Sequence, residues 1–208
     1  MLETIGQKFA RLTTNAVVRR PRLWWLFRGL LRKQFDVIAP RWDTMRSPNY
    51  LAPLEAALAA VDPSPRRALD LGTGTGAGAL AIARRFPEAE VVGLDLSEGM
   101  LAQARRKLPP ELASRVRYEL GDASRLPYDD GAFDLVSLAN MIPFFDELSR
   151  VLAPGGATLF AFSGGAGTPI YVAPERLRTE LEQRGFTDFA EFEAGAGTAF
   201  LARKALRG

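Results

Sequence analysis

The chain contains no cysteine and no histidine. Without cysteine there is no disulfide, no thiolate zinc site and no cysteine nucleophile. Such a chain suits a reducing compartment, so a cytoplasmic location is expected. Without histidine there is no imidazole base, no histidine metal ligand and no Ser-His-Asp triad. No metal site is expected. Long apolar runs are also missing. The most apolar N-terminal run, Leu23 to Leu31, is interrupted by Arg28. It falls far short of the roughly 20 residues that span a bilayer. No small-residue cleavage site follows it, so no signal peptide is expected. Any chemistry must come from a cofactor, carboxylates, lysine, tyrosine or positioning alone.

What is present fits one α/β domain with an appendage: 208 residues, 47% hydrophobic and 25% charged. The net charge of +3 is unevenly spread. Residues 1–50 hold ten Lys and Arg against three Asp and Glu; the remainder holds seventeen against twenty-one. The basic surplus is confined to the N-terminus, which argues against a nucleic-acid-coating protein. Ile5, Phe9, Leu12 and Ala16 lie at helical spacing, and Trp24, Phe27 and Leu31 make a second stripe after Pro21. The expected division is a basic, aromatic helical cap over residues 1–50 and a cofactor-binding domain over 51–208.

From Arg66 the chain alternates strands and helices. Strands are predicted at 67–71, 90–94, 116–120, 133–138 and 157–162. A terminal hairpin follows at 187–193 and 198–204, turned by Gly195-Ala196-Gly197. Five strands alternating with helices predict a doubly wound, mostly parallel sheet. In such sheets ligands lie at the carboxyl ends of the strands. Those ends are unusual here. After the first strand comes Gly72-Thr73-Gly74-Thr75-Gly76, preceded by Asp70. Glycine allows positive φ and close approach of backbone to a ligand, and the helix after it offers free N–H groups. The second strand ends at Asp95, nineteen residues after Gly76. A carboxylate there can accept both hydroxyls of a ribose. The third strand leads to Asp122, and the fourth to Asn140.

These motifs together resemble a class I S-adenosylmethionine-dependent methyltransferase over roughly residues 35–204. The resemblance rests on Leu69-Asp70-Leu71-Gly72-Thr73-Gly74-Thr75-Gly76, Gly93-Leu94-Asp95-Leu96-Ser97, Gly121-Asp122-Ala123, Phe133-Asp134-Leu135-Val136 and Arg150-Val151-Leu152-Ala153-Pro154-Gly155-Gly156. Phe35 to Asp43 is similar to the entry helix of small-molecule methyltransferases, including those of quinone biosynthesis. The resemblance implies a seven-stranded sheet in the order 3-2-1-4-5-7-6 with strand seven antiparallel. It implies S-adenosylmethionine as cofactor and a small acceptor. It places Gly72, Thr73, Gly74 and Gly76 near the methionine part, Asp70 toward its ammonium and Asp95 on the ribose. Leu96 would lie against the adenine, Asp122 and Ala123 at its edge, and Asn140 at the pocket mouth. Trp42, Tyr50 and Phe144 would line the acceptor pocket; each also reads as core.

Alternatives remain at this point. A nicotinamide loop also uses glycines and an acid, but usually puts an apolar residue where Asp70 stands. A protein of this fold could bind the cofactor without turnover. An aminopropyl-transfer enzyme shares the fold but usually carries an acidic cluster that this chain lacks after the fourth strand. No catalytic base can be named; Asp43, Tyr50, Asp146 and Glu147 are the candidates. Residues 1–33 also suit contact with a membrane surface, since Trp and Phe beside Arg and Lys fit the headgroup boundary. They suit a dimer contact equally, so the oligomeric state is open.

Overall fold

The structure is a computed structural model describing residues 5–206, with side chains from Lys8 onward. Ile5, the first residue of the predicted N-terminal stripe, therefore lies outside the described side chains. The strands are β1 (Arg67–Leu71), β2 (Glu90–Asp95), β3 (Val116–Leu120), β4 (Phe133–Ala139), β5 (Leu152–Phe162), β6 (Phe186–Ala194) and β7 (Gly197–Lys204). They form one sheet in the order β3-β2-β1-β4-β5-β7-β6. β1 to β5 run parallel, and β7 is antiparallel to both β5 and β6. This is the expected sheet, strand order included.

Successive strand residues face opposite sides. Leu69, Leu71, Val92 and Leu94 therefore enter one core layer, whereas Ala68 and Val91 enter the other. Helices α1 (Ile5–Arg19), α6 (Phe145–Val151) and α7 (Pro174–Glu182) cover the first layer through Val17, Leu148 and Leu177. Helices α3 (Ala52–Ala59), α4 (Ala77–Arg85) and α5 (Glu98–Lys107) cover the second through Leu58, Ile82 and Leu101. Ser97 caps α5 by accepting a 3.1 Å bond from the Met100 N–H. That bond satisfies one of the donors every helix leaves free at its start.

The clearest difference from the sequence reading is at β5. β5 starts at Leu152 rather than 157. Pro154-Gly155-Gly156 looks like a stop, but the backbone stays extended through it because Gly155 takes φ +77° and the β4–β5 register shifts between Phe133 and Leu135. The N-terminal segment packs onto the core. Helix α2 (Trp24–Ile38) runs without a break through residues 33–35. Val17 on α1 is fully buried in the core layer of Leu69 and Leu71. The tryptophan pair splits: Trp24 packs edge-on against Phe144, with ring centroids 5.3 Å apart, whereas Trp25 is 68% exposed. Among the described residues no helix is long and apolar enough to cross a membrane.

Candidate functional site

The site is built where β1 and β2 end. Gly72, Gly74 and Gly76 take φ of +66°, +55° and +88°. Side chains resist this left-handed backbone, so glycine is required here. The turn folds back on β2: the N–H groups of Gly72 and Thr73 both donate to the Leu94 carbonyl. Gly76 starts α4 without a side chain to cap it. Asp70 lies beneath this turn. Its carboxyl takes a 2.7 Å bond from the Thr73 hydroxyl, and the nearby Ala79 N–H in the first turn of α4 favours its charge. There is room because residue 78 is glycine; a Cβ there would lie 2.7 Å from Asp70 Oδ2. Ser137 stands opposite Asp70 in the β1–β4 ladder. Its hydroxyl lowers the Asp70 pKa slightly, but makes no hydrogen bond of good geometry.

Asp70 is only 2% exposed, and burial pushes its pKa up to about 7, against the hydrogen bonds that favour the charge. An acid whose folded pKa is raised binds its proton more tightly when folded. Stability from this group is present below the unfolded value near 4 and is lost as pH rises to about 7. Asp70→Asn removes that loss. The difference in unfolding free energy, variant minus wild type, is expected to rise by about 3 kcal/mol between pH 4 and pH 7, at about 1.36 kcal/mol per unit. Urea unfolding of both proteins across that range checks it. A difference that stays flat would mean that Asp70 ionises normally in the fold.

Asp95 closes the other side. Its Oδ2 accepts from the Gly74 N–H at 2.8 Å and its Oδ1 from the Ser97 N–H at 2.9 Å. Burial raises its pKa, and these backbone bonds oppose the rise. A carboxylate has about four acceptor positions, so two bonds leave capacity for hydroxyls. Leu96, next in the chain, is half-buried.

The end of α2 and the segment that joins it to α3 lie against this loop. Asp36 accepts from the Ser97 hydroxyl at 2.6 Å and from the Gly99 N–H at 3.0 Å. Asp43 accepts from the Thr75 hydroxyl at 2.7 Å and pairs with Lys107 at 2.6 Å. The Trp42 indole nitrogen lies 3.5 Å from where a Gly74 side chain would begin. Arg46 stacks on both Trp42 and Tyr50, 4.4 and 4.6 Å from the ring centroids.

Asp122 is engaged from an unexpected side. Its Oδ1 accepts from the Trp24 indole N–H at 2.8 Å and from the Ser124 N–H, and its Oδ2 faces Arg28 at 3.3 Å. Ala123 beside it is buried. Asn140 sits in the left-handed region at φ +52°. Its side-chain oxygen accepts from the Ser163 N–H and hydroxyl, tying the ends of β4 and β5, so it does not cap α6. Phe144 is buried in the core layer against Trp24 rather than stacked with Trp42 and Tyr50. The predicted acceptor trio is therefore two neighbours and a third residue packed elsewhere.

Three of the four candidate bases are paired, and the fourth, Tyr50, has a phenol that is hard to ionise. Asp146 pairs with Arg184 at 2.7 Å. Glu147 is held low by the Arg150 guanidinium against the opposing effect of burial. For Asp43 burial raises the pKa, but bonds from Lys107 and Thr75 outweigh it and the net direction is down. Burial pushes the Tyr50 phenol up, against the nearby Arg46. Sequence reasoning missed Trp24, Arg28, Asp36 and Arg46 as site residues. For Arg46 a signal was available: Trp42, Arg46 and Tyr50 recur every four residues. Among the described residues no group of three or more acids could hold a metal.

A family model described as a methyltransferase domain matches residues 68–156. That stretch runs from β1 through the glycine loop, Asp95, Asp122 and Asn140 into β5. That stretch is similar to methyltransferase domains. The chain is 46% identical over 134 residues to a demethylmenaquinone methyltransferase of Thermus thermophilus, covering 59% of this chain and 60% of that one. It is 38% identical over 146 residues to a malonyl-[acyl-carrier protein] O-methyltransferase of Halorhodospira halophila, covering 66% and 49%. The chain thus spans about half to three-fifths of the length of these curated relatives. The fold is also that of a solved S-adenosylmethionine-dependent methyltransferase from Aquifex aeolicus. That match has a TM-score of 0.65 at 17% identity, over 79% of this chain and 97% of that one. A phosphoethanolamine N-methyltransferase of Haemonchus contortus, solved with S-adenosyl-L-methionine, matches at TM-score 0.64 and 19% identity, over 82% and 57%. The domain's own residues fit that cofactor: a loop with three glycines of positive φ, a buried carboxylate beside it and a second carboxylate after β3.

Proposed function

We propose that the protein transfers a methyl group from S-adenosylmethionine to a small, apolar or aromatic acceptor. The observation that carries this reading is the arrangement of the Gly72–Gly76 loop and the Asp95 carboxylate, joined by the 2.8 Å bond from Gly74. When bound, the cofactor supplies a methyl group activated by a sulfonium sulfur. The chain's residues supply binding and orientation. In this reading the Gly72, Thr73, Gly74 and Gly76 backbone accommodates the methionine part and Asp95 accepts the ribose hydroxyls. Leu96 and Ala123 flank the adenine, and Asp122 accepts from its amine. Asn140 lies toward the methionine part. Asp70 holds the loop and its charge favours the ammonium.

The segment from Asp36 to Tyr50 acts as a lid that excludes water, a positioning role that needs no strong base. That agrees with Asp43, Asp146 and Glu147 all being paired and the Tyr50 phenol being pushed up. An already acidic phenol or enol is the acceptor type such a site can use. Incubation with the methyl donor and a panel of phenols, quinols and fatty acids tests the proposal. Donor consumption with an acidic phenol or quinol is expected, and consumption with none would favour a cofactor-binding protein without turnover.

The exposed face of α2 extends the proposal. Trp25, Leu26 and Leu30 are more than half exposed, and Arg22, Arg32 and Lys33 are exposed on the same helical stretch. Apolar and basic groups together suit the surface of an anionic bilayer, where an oily acceptor would be found. Binding to vesicles containing phosphatidylglycerol is expected to weaken with salt, since charges are screened within about 10 Å at 0.1 M. It is also expected to fall in Trp25→Ala. Equal binding to neutral vesicles at high salt would contradict it. A cytoplasmic location belongs to the same proposal, supported by a chain without cysteine.

A further inference from the structure

Arg46 is a cation with no anion in direct contact; Asp43 attracts it only from a distance. Its guanidinium is half-buried between the Trp42 and Tyr50 rings. Among the described residues it forms no hydrogen bond and no ion pair within 4 Å. The nearest acid in sequence, Asp43, is already committed to Lys107 and Thr75. A guanidinium carries five N–H donors, and taking it out of water without an acceptor is unfavourable. Burial accordingly lowers its pKa. The two rings hold the guanidinium through cation–π contacts, which use none of its N–H donors. Its bracket, Trp42, in turn abuts the glycine loop at Gly74.

We propose that Arg46, clamped between Trp42 and Tyr50, is an anion subsite that binds a carboxylate or a similar planar oxyanion of a ligand seated over the glycine loop. The inference rests on the methyltransferase reading for the identity of that ligand. The anion has two sources: the carboxylate of the cofactor's methionine part, or an anionic acceptor. A guanidinium fork suits either, since it pairs with a planar oxyanion through two parallel bonds.

The test compares wild type with Arg46→Gln and Arg46→Lys by calorimetry, using three probes. S-adenosylhomocysteine carries the carboxylate, 5′-methylthioadenosine lacks it, and 1-naphthoate stands for an aromatic anionic acceptor. If Arg46 takes the cofactor carboxylate, Arg46→Gln weakens S-adenosylhomocysteine at least tenfold and leaves 5′-methylthioadenosine within twofold. If it takes the acceptor anion, both nucleosides are unchanged and 1-naphthoate binding falls at least tenfold. Arg46→Lys keeps the charge but loses the stacked plane, so it should retain part of the affinity. It also serves where Arg46→Gln folds poorly. If none of the three probes changes in either variant, Arg46 is only a bracket between two rings and the proposal is overturned. Failure of wild type to bind either nucleoside would instead count against the methyltransferase reading, independently of the naphthoate arm.

Discussion

Asp95→Ala is expected to weaken S-adenosylhomocysteine binding by at least about tenfold. A hydrogen bond to a charged group contributes roughly 1.5–3 kcal/mol, and 1.4 kcal/mol is a factor of ten. Loss of two hydroxyl partners could therefore exceed a hundredfold. The structure adds a second effect. Asp95 also accepts the Gly74 and Ser97 N–H groups, so the alanine variant leaves two donors without partners. A lower melting temperature without ligand is expected, by several degrees. Asp95→Asn separates the two effects. It keeps one oxygen acceptor for the backbone but loses the charge. Its melting temperature should stay nearer wild type, while affinity still falls. An unchanged dissociation constant in both variants would mean that Asp95 serves only the loop.

Removal of residues 1–33 is expected to destabilise the whole domain rather than detach an appendage. The cut falls inside α2 and removes Val17, fully buried in the core, together with Trp24 and Arg28, the partners of Asp122. Burying one large apolar side chain contributes about 1.5–3 kcal/mol. Loss of Val17, Trp24 and the charged hydrogen bond should cost roughly 4–6 kcal/mol together. At 2–4 °C per kcal/mol for a chain of this size, the melting temperature should drop by roughly 10–20 °C. S-adenosylhomocysteine affinity should fall too, since Asp122 loses the groups that orient it. Thermal unfolding of both forms, with and without S-adenosylhomocysteine, is the measurement. A truncated protein melting within about 3 °C of the full chain would show the helices to be dispensable after all.

The parts of the fold that were legible share a local cause. β1 and β3 occupy the predicted residues, 67–71 and 116–120, because a short apolar run in the first and apolar–polar alternation in the second are bounded by turn residues. The strand-end residues Gly72, Asp95 and Asp122 follow from the same rhythm, so the outline of the site could be read with the sheet. What was not legible depends on partners far apart in the chain. The bond from Trp24 to Asp122 links residues separated by 98 positions, and no periodicity encodes it. Trp24 and Trp25 are the same residue type at adjacent positions. Only their different directions from α2 make one a partner of the site and the other a solvent-facing ring. The early start of β5 was hidden because Pro154-Gly155-Gly156 has turn composition, while pairing with β4 holds it extended.

The central claim is that the Gly72–Gly76 loop and Asp95 form a site for S-adenosylmethionine. Titration calorimetry of the full chain with S-adenosylmethionine, S-adenosylhomocysteine and NAD at one salt concentration tests it most directly. Saturable one-site binding of the first two, with no heat of binding from NAD, is the predicted result. NAD binding with no signal from either sulfur nucleoside would contradict it.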